Sequence, residues 1–314
     1  MKVLVTGATG FVGSHAVSWL AARGHDVTGT VRAGRARPEA GQWIEADSNS
    51  DFSGILEGFD ALIHAAGVAH NPTNDPEELR SLFAQGNRDW TRRLAESVVE
   101  TNVRVMIHIS SIAAAGKGVE SGGKESREGE ETTPGTDYGK SKREAEPFVG
   151  DLGGKGRLGV NLRPPLIYGP GTKGNWAKIV SLARSPLPIP FGSVRNQRSY
   201  LGIENLCGLM ESILLHADGF EKSGTYSVAD EGTFSLREVV EALRSGLGRS
   251  PGLVSFPPGI LRTALVVLGR KKMAEGLFDD LILDTSAVEE AFGWKPQKET
   301  LASMSESVSV STPR

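Results

Sequence analysis

The N-terminus constrains this chain most: Val3-Leu4-Val5-Thr6-Gly7-Ala8-Thr9-Gly10-Phe11-Val12-Gly13 sets three glycines at intervals of three directly after a short apolar run. Such a run reads as a strand buried on both faces, and a Gly-x-x-Gly-x-x-Gly turn leaving it opens a helix. Gly7 permits the tight turn, Gly10 lets backbone amides approach a pyrophosphate, and Gly13 lets the helix pack close to the sheet. The helix N-terminus then faces the anion, which adds Thr9, Phe11 and Val12 to the expected binding set.

The rest of the chain repeats the alternation that this first unit begins. Short runs rich in Val, Ile and Leu at 2–6, 27–32, 61–65, 103–110 and 158–163 read as strands. Between them lie helical patterns: Ala16, Val17, Leu20 and Ala21 share one face before Gly24, and Trp90, Leu94 and Val98 recur every fourth residue before Asn102. Alternating strands and helices joined by right-handed crossovers give an α/β fold with a doubly wound, Rossmann-like parallel sheet. The segment Gly116 to Gly135, rich in Gly and charge, reads as a mobile surface loop.

After Arg163, six prolines between Pro164 and Pro190 interrupt regular structure. The boundary is therefore expected near 165, with a dinucleotide-binding domain at 1–165 and a smaller, mainly substrate-binding domain at 166–314. A segment near 199–229 is expected to return to the first domain. Helical patterns around Ser235–Ser245 and Thr285–Phe292 belong to the second, and the Ser-rich last dozen residues read as frayed. Leu261, Leu265 and Leu268, spaced by four and three, read as the buried face of an amphipathic helix, with a membrane-surface role as the alternative.

Composition excludes several classes. Apolar residues make up 39% and charged residues 23%, and 35 Lys and Arg against 38 Asp and Glu leave a net charge of −3, so there is no broad basic field for a nucleic acid. The longest apolar stretch, near Ile260 to Leu268, is too short for a membrane span and contains Arg262. The single cysteine, Cys207, can form neither an internal disulfide nor a CxxC metal site, which fits a reducing compartment and a cytoplasmic protein. The charged start Met1-Lys2 runs straight into the first strand, leaving no signal-peptide core. His15, His25, His70, His108 and His216 form no spaced set with Cys or carboxylates, so no metal site is expected.

The chemistry-bearing residues lie further along. Tyr138-Gly139-Lys140-Ser141-Lys142 places Tyr138 and Lys142 four apart on one helix face. A phenol with a reference pKa of ~10 needs a nearby cation to act as a general acid or base near neutrality, and the Lys142 ammonium supplies that field. Ser110-Ser111 end the fifth strand, at the sheet edge where ligands of open α/β folds sit. The second strand ends Thr30-Val31-Arg32, where NAD-binding versions of this fold carry an acidic residue. Arg32, backed by Arg35 and Arg37, instead suits a 2′-phosphate and predicts NADP(H) over NAD(H), while Asp47 after the third strand is a candidate adenine contact.

With glycine loop, strand-end serine and Tyr-x-x-x-Lys together, the chain resembles the extended short-chain dehydrogenase/reductase family, over about 1–300. His64-Ala65-Ala66-Gly67 looks like the family's motif after the fourth strand, and Asn87 sits where the family places an asparagine in the next helix. Leu162-Arg163-Pro164-Pro165-Leu166-Ile167-Tyr168-Gly169-Pro170-Gly171 resembles its passage into the substrate domain. Arg198 in Arg198-Ser199-Tyr200-Leu201 is similar to an arginine that nucleotide-sugar members send to the diphosphate.

The resemblance implies a catalytic set of Ser111, Tyr138 and Lys142. It also implies cofactor contacts from Ala65, Ala66, Asn87, Pro165, Tyr138 and Lys142, and substrate contacts from Ser111, Asn175 and Arg198. A homodimer through the helices around Trp90–Val98 and Tyr138–Phe148 follows from the same likeness. The nearest flavour is the nucleotide-sugar 4-epimerases and 4-keto-reductases of bacterial surface polysaccharide pathways.

Three departures narrow this. Ser111 is followed by Ile112-Ala113-Ala114-Ala115 rather than the Asp-Glu of dehydratases. Pro165-Leu166 stands where galactose epimerases carry an asparagine, and Gly276-Leu277-Phe278-Asp279-Asp280 stands where they carry a second diphosphate arginine, leaving Arg270 or Lys272 as possible substitutes. The expected activity is thus reduction at C4 of a nucleotide sugar, with 4-epimerisation as the alternative and reduction of a sterol or other small ketone as a further one.

Overall fold

A computed structural model describes residues 1–34, 41–69, 73–116 and 133–309. Most of the segment expected to be a loop at 116–135 lies outside the described residues, as do Arg35, Arg37 and His70.

Seven parallel strands form the main sheet: β1 (Lys2–Thr6), β2 (Asp26–Val31), β3 (Gln42–Glu45), β4 (Ala61–His64), β5 (Val105–Ile109), β6 (Leu158–Arg163) and β9 (Gly224–Ser227). Their spatial order is β3-β2-β1-β4-β5-β6-β9. The chain reverses its direction of travel across the sheet between β1 and β4, the switch point at which open sheets of this kind bind ligands. β1, β4 and β5 are buried throughout their cores, as two-sided burial demands. A separate two-stranded sheet pairs β7 (Leu166–Tyr168) with β8 (Tyr200–Gly202).

One face of the sheet carries an apolar core around Leu62, Leu94, Val98 and Met106. Two more follow from this layout. One lies on the opposite face, between the sheet and the helices Phe11–Ala22 and Ile203–Leu215, joining Val3, Val5, Ile63 and Ile107 to Leu206, Met210 and Ile213. The other gathers Trp176, Ile179, Val239, Leu243, Met304 and Val308 from the second half of the chain. The helix Leu236–Gly246 begins with a full capping box, the Ser235 hydroxyl accepting from Glu238 N–H while the Glu238 carboxylate accepts from Ser235 N–H.

Two expectations for the C-terminal half need correction. The last dozen residues are not frayed where described: Thr300–Ser309 is a helix whose Met304 and Val308 are buried against Leu236–Gly246. Gly246 allows that close approach, since a Cβ there would collide with the Ser305 carbonyl. The helix Pro258–Val267 is not buried along Leu261, Leu265 and Leu268. Leu261 and Leu265 are half-buried, but the helix stops at Val267, Gly269 turns left-handed at φ +72°, and Leu268 is left 72% exposed.

Candidate active site

The C-terminal ends of β4, β5 and β6 open onto one cavity of about 480 Å³, which the glycine-loop stretch reaches through Val12. Gly7 turns with φ +69°, its carbonyl accepting from Gly10 N–H at 2.8 Å, and a Cβ on Gly13 would collide with that same carbonyl. Gly10 caps the helix Phe11–Ala22 in extended conformation with no side-chain oxygen occupying its first amides. Backbone donors at a helix N-terminus, with no Cβ between them and solvent at Gly10, fit a dinucleotide pyrophosphate. Val12, Ala65, Ala66, Gly67 and Pro165 continue the wall, so four of the expected cofactor residues lie together.

Ser111, Tyr138 and Lys142 line the same cavity. Ser111 ends the strand-turn after β5 and caps the short turn Ile112–Ala114. Tyr138 sits in the first turn of the helix Asp137–Gly150, which Thr136 caps by accepting from Gly139 N–H at 3.0 Å. Gly139 presses this helix onto the Ala113 carbonyl, where a Cβ would not fit, and that contact brings the Tyr138 hydroxyl into hydrogen bonding with Ser111.

The expectation that Lys142 lowers the Tyr138 pKa is corrected. Burial pushes the phenol above its usual value, with the Ser111 hydrogen bond opposing. The reason is geometric, because the Lys142 ammonium donates to the Ile109 carbonyl at 2.8 Å and lies 3.3 Å from His108 Nε2. Burial in turn brings Lys142 down to about 8, against an opposing pull from Glu146.

A buried polar layer beneath Lys142 was not legible in the sequence. Asn161 Nδ2 donates to the Glu146 carbonyl at 2.9 Å, so its Oδ1, 2.8 Å from His108 Nδ1, must be accepting. His108 therefore carries its proton on Nδ1 and turns the Nε2 lone pair toward Lys142. His64 stacks on His108 at 5.6 Å and pairs through Nδ1 with the Thr6 hydroxyl at 2.6 Å. Glu146, 4% exposed, accepts from Ser110 and from Nε and Nη2 of Arg163. Only the strand-end position of these side chains hinted at the layer, since alternate residues of a two-sided strand must point into one packed layer or another.

Other expected site residues fall elsewhere. Asn87 is fully buried in a π-helical segment, Ala84–Asp89, and does not line the cavity. Its amide instead clamps Val68, accepting from its N–H at 2.8 Å and donating to its carbonyl at 3.1 Å, and donates to the Ser141 hydroxyl at 2.9 Å. It thus positions the wall beside Lys142. Arg198 is also outside the lining. Its guanidinium donates to the Asp279 carbonyl at 2.5 Å, because the strand-like bridges of Arg198 to Phe234 and Leu281 hold it against that turn. Asp47 accepts from Asn49 N–H at 2.8 Å and so caps its own turn. Arg32 follows β2 directly and is exposed, as is Thr9.

Asn175 does line the cavity, joined by Lys173 and Lys178, which sequence reasoning missed. The signal lay in Gly171-Thr172-Lys173-Gly174-Asn175, a Gly-rich turn with a cation leading into the helix Asn175–Arg184. The cavity therefore carries the proton-transfer groups Ser111 and Tyr138 together with two further cations, Lys173 and Lys178.

Comparison with known proteins agrees with this layout. The curated UDP-glucose 4-epimerase of Vibrio cholerae is 29% identical over 300 residues, covering 94% of this chain and 90% of that protein. A 3-beta-hydroxysteroid dehydrogenase of Mycolicibacterium neoaurum is 29% identical over 190 residues, 57% of this chain and 50% of that one. The crystal structure of UDP-glucuronic acid 4-epimerase from Bacillus cereus in complex with NAD superposes with a TM-score of 0.72 at 20% identity, covering 98% of this chain and 94% of the other. The model of the NAD dependent epimerase/dehydratase family matches residues 3–229, and with Ser111, Tyr138 and Lys142 on one cavity that Val12 of the glycine-loop stretch also lines, this chain is a nicotinamide-dependent enzyme that belongs to that family.

Proposed function

We propose that this enzyme is a nucleotide-sugar 4-epimerase. The observation that carries the reading is the shared lining of one cavity by the hydroxyls of Ser111 and Tyr138 and by Lys173, Asn175 and Lys178. A nucleoside diphosphate sugar presents both an alcohol to be oxidised and an anion to be held. The match to the Vibrio cholerae epimerase along 94% of the chain supports epimerisation over the reduction favoured by the sequence alone.

The glycine loop, Ala65, Ala66 and Pro165 would hold the dinucleotide, and Lys142 the nicotinamide end. Bound nicotinamide supplies the acceptor and donor for the hydrogen on C4. Ser111 orients the C4 oxygen, and Tyr138 takes its proton as the alcohol is oxidised and returns it when the ketone is reduced on the opposite face. Lys142 is itself fixed between the Ile109 carbonyl and His108. Lys173 and Lys178 hold the diphosphate while the ketone turns.

Reduction of a 4-keto sugar is the second reading, favoured by one observation: Arg32 stands exposed after β2, where it can take a 2′-phosphate, and reductases release their cofactor each turnover. The deciding experiment incubates purified protein with NAD and either UDP-glucose or UDP-N-acetylglucosamine and resolves the products by chromatography. Interconversion of 4-epimers with no net change in reduced nicotinamide is expected. Inertness toward both, with stoichiometric loss of NADPH on adding a 4-keto-6-deoxy nucleotide sugar, would overturn epimerisation in favour of reduction.

A further inference from the structure

The helix Pro258–Val267 is apolar on two faces, and only one of them meets protein. Leu261 packs against the second core, with Leu277 and Phe278 of the following helix. Ile260, Ala264 and Val267 follow a spacing of four and three, which places them on a different stripe, where Ile260 is 57% and Val267 80% exposed; Leu268, just past the helix end, is 72% exposed. Val254, Phe256, Val266, Met273 and Ile282 are exposed beside them in the chain. Eight of the twelve large apolar side chains left exposed among the described residues thus fall between 254 and 282. An exposed apolar concentration of this kind marks a contact surface.

Charge says what covers it. From Ala242 to Ala274 there is no acidic residue, although the whole chain carries 38; of the basic residues in this stretch Arg244 is buried, Arg262 pairs with Asp279 and Lys271 reaches Glu275, while Arg249, Arg270 and Lys272 stand exposed. Arg270, Lys271 and Lys272 are exposed immediately past the Gly269 turn, at the end of the apolar stripe. A second copy meeting this face about a twofold axis would set like charges against each other. An anionic bilayer satisfies both features, apolar side chains entering the headgroup boundary and basic ones meeting lipid phosphates.

We propose that the segment 254–273 is an interfacial membrane anchor, docking this enzyme on anionic lipid without crossing the bilayer. No helix among the described residues is long and apolar enough to cross one. Leu281 and Leu283, which follow the anchor, pack with Ile112 and Ala115 just beyond Ser111, so the docked face is joined to the catalytic edge by one short segment. The inference stands apart from the sugar reading, since it rests on the outer face and not on the cavity.

The test is sedimentation of the full chain with vesicles of phosphatidylcholine alone or with a third phosphatidylglycerol. Pelleting with the anionic vesicles, weakened several-fold by salt and absent with the neutral ones, is expected. Val267→Ser with Leu268→Ser, and separately Lys271→Gln with Lys272→Gln, should each cut the bound fraction at least five-fold while leaving the thermal shift given by NAD unchanged. No pelleting with either vesicle, or equal pelleting of parent and variants, would overturn it. So would a dimer in light scattering that the Val267/Leu268 variant splits, which would assign the face to a second copy.

Discussion

The Lys142 ammonium and the His108 imidazole meet at 3.3 Å in a fully buried layer, with the His108 proton fixed on the far nitrogen by Asn161. The lysine therefore answers to a histidine that must stay neutral. Burial and the Lys142 charge both hold His108 well below 6.5, and the same causes act on His64.

Both histidines take up protons only on unfolding, so the stability they contribute is complete above about 6.5 and is lost as pH falls below it. The slope should approach about 1.4 kcal/mol per pH unit for each histidine. Urea melts at pH 7, 6 and 5 should show it, and His64→Leu should remove close to half of it. An unchanged slope in that variant would mean that His64 is charged in the fold.

Lys142 has the opposite ionisation but the same sign of dependence. Its pKa of about 8 in the fold lies below 10.5 in the unfolded chain, so unfolding binds a proton between those values and the fold gains stability as pH rises through them. Relative to Lys142→Met, the parent should gain stability between pH 8 and 10 in chemical melts. The variant should lose activity at every pH.

Tyr138→Phe keeps the ring, its edge-on contact with Phe83 at 5.8 Å and the fold, and removes only the proton. Turnover should fall by about 10²–10⁴-fold with the thermal midpoint held. Ser111→Ala should lose less, because orientation alone is removed. Parent-like turnover in Tyr138→Phe would refute the phenol as the acid and base.

Glu146→Ala strands the half-buried Arg163 guanidinium and frees the buried Ser110 hydroxyl, so it should destabilise by about 2–4 kcal/mol. Pairing Glu146→Leu with Arg163→Met should recover most of that. A loss below 1 kcal/mol in Glu146→Ala would show that water already screens the pair.

Arg32→Asp should shift preference toward NAD(H) if the exposed guanidinium holds a 2′-phosphate. The readout is the ratio of dissociation constants for NADPH and NADH in parent and variant. A ratio unmoved by the substitution would show that Arg32 serves solvent only.

How much of this could be read from sequence depended on how local each constraint is. Gly13 and Tyr138 announce themselves because a loop and a four-residue spacing impose their geometry at once. Asn87 was found as a residue but not as a clamp, since its partners Val68 and Ser141 are 19 and 54 positions away. Arg198 carried a familiar surrounding sequence, yet its direction is decided by the Asp279 turn, 81 positions later. The Thr300–Ser309 helix looked like a polar tail because its cover, the Leu236–Gly246 helix, leaves no trace in its own composition.

One feature of the sheet reaches into how the chain is made. β9 pairs with β6 through Val160 to Arg163, yet it is 60 residues later in the chain and follows the whole β7–β8 unit. As the polypeptide leaves the ribosome, six strands can assemble while the β6 edge, with the buried residues Val160 and Leu162, waits for its neighbour. A nascent chain halted near 165 would present that open edge to any other strand. Completion of the nucleotide-binding half is thereby tied to synthesis of the other, and no single cut of the gene separates the two into self-sufficient pieces.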